Sequence, residues 1–203
     1  QNYAVVRAAQ IAKAVTAANP GELIIAPALM PSPGGNYLLL PNWHYRGAGM
    51  FFTRTNGTFS HTLDPTCAGA TLWKIMMSEM HVRSPITFDC AAIGATTSQV
   101  ILKNLYFENN VTLIAADNNN ELYLTDCFMI TAGWIQTGFN VFMVGMYLYG
   151  GPQITLNSSS LSLTRLTAIA CNMTGGNVII NYTAGHLAMT LDLSGLRLSG
   201  GNV

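Results

Sequence analysis

Charge is what this chain lacks most. Nine Lys and Arg and nine Asp and Glu in 203 residues make 9% charged, with a formal net charge of zero, against roughly a quarter charged in ordinary soluble domains. Without a basic excess there is no electrostatic footprint for a phosphate backbone, so no nucleic-acid partner is expected. Long apolar runs are missing too: none reaches the ~18 residues of a membrane span, and stretches such as "WKIMM" at 73–77 are short and strand-like. No membrane insertion is expected. Cysteine is sparse, and Cys67, Cys90, Cys127 and Cys171 show neither metal-ligand spacing nor a clustered disulfide framework; they read as reduced packing residues. His44, His61, His81 and His186 are scattered and fit no metal motif. A Ser-centred nucleophile elbow and a phosphate-cradling Gly loop are both absent. Neither a metal nor a cofactor is expected.

Two features bear on processing. The chain opens on Gln1 without a basic, apolar and small-residue leader, and is read as a processed product or a segment of something longer. Sequons at Asn56, Asn110, Asn157, Asn172 and Asn181 arise readily in a chain rich in Asn, Ser and Thr, and argue little for a secretory route.

What the chain has is apolar content, half of its residues, and a phrase that recurs. The template is apolar, any, apolar, any, any, apolar, any, apolar. It fits Ile75-Met77-Met80-Val82, Val100-Leu102-Leu105-Phe107, Leu122-Leu124-Cys127-Met129, Val141-Met143-Met146-Leu148, Leu161-Leu163-Leu166-Ala168 and Leu191-Leu193-Leu196-Leu198. These six copies, mostly 19 to 25 residues apart, mark a solenoid. Inside each copy the alternation has period two and is re-phased by a two-residue corner, so a copy is two short strands. A second alternating pair follows most copies: Ile86 and Phe88, Val111 and Leu113, Ile154 and Leu156, Val178 and Ile180. Three strands per coil with polar bends predict an all-β parallel β-helix, its coils stacked ~4.8 Å apart. The Asn118-Asn119-Asn120 run is expected as a bend between coils, and "CNMTGG" at 171–176 as a side-loop insertion.

A leucine-rich repeat satisfies the same apolar spacing, and Asn110 sits where such a repeat wants it. The other copies place Pro85, Ala132, Gly151, Cys171 and Gly201 there, and the intervening segments read as strands, which favours the β-helix. Before the coils, Ala4, Ala8, Ile11, Ala12 and Val15 share a helical face, and Asn19-Pro20-Gly21 ends it. This predicts an α-helix over 4–18 capping the open end of the stack. The whole chain, 1–203, reads as one domain: cap at 4–18, lead-in strands and irregular first coils at 22–72, regular coils at 73–203.

The cap pattern, "PGELIIAP", "YLLLPNWHYRGAG" and the coils that follow resemble the pectate-lyase-like right-handed parallel β-helices, closest in character to bacteriophage tailspike and appendage proteins. The resemblance covers nearly the whole chain and is specific for architecture, not activity. It implies right-handed coils, a parallel homotrimer, an extracellular place on a virion surface, and contact with host-surface polysaccharide and other virion proteins. Asn104 looks like the stacked corner Asn of such helices.

Residues between the inward ones point out. One column is Met76, Ile101, Tyr123 and Phe142; the next is His81, Tyr106, Phe128 and Tyr147; a third is Arg83, Glu108, Ile130 and Tyr149. In a solitary solenoid these positions are polar, yet here the middle coils make them apolar or aromatic. They are candidates for a subunit interface, or for a saccharide platform with His81, Arg83 and Glu108 as polar handles. Glu79 and Asp126 stand two rungs, roughly 10 Å, apart at the backbone in the corner column, which serves an inverting pair of glycosidase carboxylates if the side chains lean together; corner positions favour polar residues in any case. A dense acidic calcium site for lyase chemistry is missing. The function expected is a virion fibre or tailspike-like structural protein in contact with glycans. A polysaccharide lyase or inverting glycoside hydrolase, and a β-helical adhesin, are the alternatives.

Overall fold

The computed structural model describes residues 21–24, 29–30, 37–39, 43–55, 61–63, 72–83, 85–90, 97–114, 119–130, 134–137, 140–151, 153–157, 165–181 and 190–200. The expected cap helix over 4–18 lies outside them.

The described chain is all-β, and its strands stack in parallel as a β-solenoid. One stack runs β1 (Gly21–Ile24), β4 (Trp43–Arg46), β7 (Leu72–Val82), β9 (Thr97–Phe107), β11 (Asn119–Thr125), β14 (Asn140–Val144), β17 (Arg165–Ile169) and β20 (Thr190–Asp192). Around a sharp bend, the far halves of β7 and β9 continue a second stack. It includes β2 (Leu29–Met30), β5 (Arg54–Thr55), β12 (Phe128–Met129), β15 (Tyr147–Tyr149), β18 (Cys171–Thr174) and β21 (Leu196–Ser199). A separate seven-stranded sheet completes the wall with β3 (Tyr37–Leu39), β6 (His61–Leu63), β8 (Ile86–Asp89), β10 (Val111–Ile114), β13 (Trp134–Thr137), β16 (Gln153–Asn157) and β19 (Asn177–Asn181).

Alternation decides what fills the inside. Ile75, Val100, Leu122, Val141 and Leu166 form one buried column, and Met77, Leu102, Leu124, Met143 and Ala168 the next. Beyond the bend come Met80, Leu105, Cys127, Met146 and Cys171, then Val82, Phe107, Met129, Leu148 and Met173. Each such side chain contributes ~1.5–3 kcal/mol by leaving water, and like residues lie on like across the rungs. Cys127 and Cys171 are free thiols, and both are buried, as is Cys90, as packing residues should be.

The bend between the first two stacks is a backbone feature. Glu79, Asn104, Asp126 and Ala170 have φ of 58, 51, 51 and 52°, and Gly145 has 64°. A left-handed residue at this point turns the strand sharply, so alternation restarts and the next residue again faces inward. Pairing persists through the corner: Asp126 N donates to Val144 O at 2.9 Å and Gly145 N to Ile169 O at 3.0 Å. In β4 and β5 the same corner is replaced by a longer excursion, residues 47–53, pinned by Gly47 N to Ser78 O, Gly49 N to Glu79 O and His81 N to Thr53 O.

Three expectations need correction. The fifth copy is Leu166-Ala168-Cys171-Met173, because β17 pairs Leu166 with Val141 and Ala168 with Met143. The template fits both phasings, and only the pairing partner separates them. With this register the copies start at Ile75, Val100, Leu122, Val141, Leu166 and Leu191, spaced 25, 22, 19, 25 and 25. It follows that "CNMTGG" is not an extruded loop: 171–174 is strand β18. The Asn run is not wholly a bend either, since Asn119 and Asn120 open β11, and Asn120 points inward beside Ser98.

Candidate functional site

Strand register joins two of the three outward columns. Register joins His44, Met76, Ile101, Tyr123, Phe142 and Thr167 in one line. It joins Arg54, His81, Tyr106, Phe128, Tyr147 and Asn172 in the next. Tyr149 follows Tyr147 outward at 63% exposure, one step from the Arg83, Glu108 and Ile130 positions. On the shoulder between the first two columns Val144 and Ile169 are exposed as well. The bend thus carries an apolar ridge along the middle rungs.

Ring geometry distinguishes the uses of that ridge. Tyr123 stacks on Phe142 with centroids 5.0 Å apart and planes 12° from parallel; Phe128 stacks on Tyr147 at 5.0 Å and 7°. The other face of Phe142 carries the Arg165 guanidinium, 5.8 Å from the centroid, itself held by a bond from Nε to Thr167 Oγ1 at 3.2 Å. Tyr123 is fixed by its hydroxyl, which donates to Glu121 Oε2 at 3.0 Å; Gln99 Nε2 donates to the same oxygen. Burial, followed by the Glu121 contact, raises the Tyr123 pKa above its ordinary value. The ring faces are turned to one another and the rims outward. A pyranose stacks on a ring face; a packed protein surface accepts rims and edges.

The polar handles engage each other. Glu108 places Oε1 2.8 Å from His81 Nε2 and accepts Arg83 Nε on Oε2 at 3.0 Å. His81 and Glu108 are an ion pair when the imidazole is protonated. His81 is only 8% exposed, and Tyr106 stands edge-on to it at 4.6 Å. Burial above all, with Arg54 and Arg83 adding, lowers its pKa below 6.5, while Glu108 pulls the other way.

Glu79 and Asp126 both fall on the left-handed bend, with Asn104 on the rung between, and Asn104 Nδ2 donates to Glu79 Oε1 at 2.6 Å. Asn and Asp tolerate this conformation better than other chiral residues, so the backbone accounts for Asn104 and Asp126 but not for Glu79. Among the described residues no cluster of three or more His, Cys, Asp or Glu could hold a metal ion.

A second feature escaped the sequence. His44 Nε2 lies 2.7 Å from Ser78 Oγ, on the floor of a cleft of about 350 Å³ lined by His44, Arg46, Gly47, Ala48, Met76, Ser78, Glu79 and Lys103. The wall is the 47–53 excursion, braced by Ala48 N donating to Thr53 Oγ1 at 2.8 Å. It ends in Phe51 and Phe52, 68% and 71% exposed. Thirty-four residues separate His44 from Ser78; only the register brings them together.

Comparison of the chain with protein-family models, with curated proteins and with solved structures gives no match.

Proposed function

We propose that this chain is a structural rod of an extracellular fibre: a right-handed parallel β-helix of the tailspike or appendage kind, assembled as a parallel homotrimer. Its place is a virion surface, where it meets other virion proteins and contacts host glycans. One observation carries the reading: the apolar ridge, whose aromatic rings stack face to face and offer their rims. A ridge of Val144, Ile169, Tyr147, Tyr149 and Ile130 exposed to water is costly, and a cyclic oligomer buries one such ridge from every chain. The ring stacking and the closed His81, Glu108 and Arg83 set weigh against a sugar platform on the same columns. Virion placement, threefold symmetry and glycan contact rest on the sequence resemblance.

The test is the absolute mass in solution by light scattering. We expect three chains for the wild type, and one chain for the double variant Phe142→Asp, Tyr147→Asp, whose side chains face outward and so leave the fold intact by circular dichroism. A monomeric wild type, or an intact oligomer from the variant, overturns the interface. A mass of two chains overturns the threefold arrangement.

A further inference from the structure

We propose that Ser78 and His44 form a nucleophile and base pair that hydrolyses esters of small carboxylic acids. Ser78 is the last residue before the left-handed bend at Glu79, so it stands beside a sharp strand corner. It is 3% exposed yet lines the cleft, so its hydroxyl meets the cleft and not bulk water. The 2.7 Å contact with His44 Nε2 is the distance a general base needs. Register puts Arg46 and Lys103 on the rungs either side of Ser78, in the same column, and both line the cleft. Two cations beside the nucleophile are placed to stabilise an oxyanion. Met76 and Ala48 give the cleft an apolar wall that suits a short acyl chain.

The chemistry closes. With His44 carrying its proton on Nδ1, Nε2 takes the Ser78 proton as Oγ bonds to the ester carbonyl carbon. The tetrahedral oxyanion collapses, the bond to the alkoxy oxygen breaks, and the alcohol leaves with the proton from Nε2. Water then adds to the acyl-Ser78, giving its proton to Nε2. The bond to Oγ breaks, Ser78 recovers the proton, and the products are one carboxylic acid and one alcohol.

The test uses the full chain with p-nitrophenyl acetate as substrate and a fluorophosphonate as trap, read by peptide mass mapping. We expect one phosphonyl group, on Ser78, and an acetyl group trapped on Ser78 at short times. Ser78→Ala should abolish both, and His44→Gln should slow labelling by ~10²-fold or more. Lys103→Met should lower kcat more than it changes KM. An absence of adduct on Ser78 overturns the proposal, and so does labelling that His44→Gln leaves unchanged. Should His44→Gln lose the wild-type circular dichroism spectrum, acetyl-Ser78 in the unaltered chain decides, and its absence overturns the proposal alone.

Discussion

Glu79, Asn104, Asp126 and Ala170 occupy one structural position, and that position asks for φ near +50°. An L-residue there carries about 1–2 kcal/mol of strain that glycine does not. Gly145 fills the same position at φ 64°, and a Cβ on it would meet Asp126 Oδ1. Gly145→Ala should therefore lose about 1–2 kcal/mol. Ala170→Gly at the next rung should be neutral or gain up to about 1 kcal/mol, because relief of strain exceeds the freedom glycine restores to the unfolded chain. Urea unfolding at fixed chain concentration reads both, and equal signs would refute the bend as the cause. His81 supports a pH prediction at the same scale. Its folded pKa lies below 6.5, chiefly through burial, so the unfolded chain takes up the proton first. Stability is complete above about pH 6.5, the ordinary histidine value, and is lost as pH falls from there through the folded value. His81→Gln should flatten that part of the curve of urea midpoint against pH; an unchanged slope assigns it to another group.

At the scale of the element, the sequence displays what is local and conceals what is paired. Ile75-Met77-Met80-Val82 and its copies are legible because period two and the restart after the bend both lie inside eight residues. The outward columns were legible for the same reason: once inward residues align, Tyr123 must stand beside Phe142 and Phe128 beside Tyr147. Leu166 and Ala168 defeated the template because they fit its first half as well as its second, and alanine gives a weak signal for a core position. Asn120 was concealed because a buried polar residue in a strand carries no local mark. The bend conformation was not visible for Glu79 or Ala170, residue types that seldom adopt it, although Asn104 hinted at it. His44 and Ser78 meet through pairing between β4 and β7, and the stretch between those strands includes the 47–53 excursion, whose length no repeat constrains.

The whole molecule has two unlike sides. The seven-stranded sheet carries Thr62, Thr87, Thr112 and Thr155 in one register-aligned column, with Gln136 between Thr112 and Thr155 and Ile179 after Thr155. The described threonines alternate with buried Ile86, Phe88, Val111, Leu113 and Ile154, which is how a sheet with one solvated face is built. Among the described residues, four threonine hydroxyls share this column beside the exposed Ile114, while aliphatic and aromatic side chains crowd the bend. The crowding of apolar side chains on the bend suits the proposed subunit contact there. The two sides can be told apart by substitution. Thr112→Asp places a charge on the solvated sheet and should leave the light-scattering mass at the wild-type value. Because the ridge residues are uncharged, that mass should also persist in 1 M salt, where ion pairs are screened within ~3 Å. A drop in mass for Thr112→Asp would move the interface to the threonine sheet; dissociation in salt would assign it to ion pairs in place of the aromatic ridge.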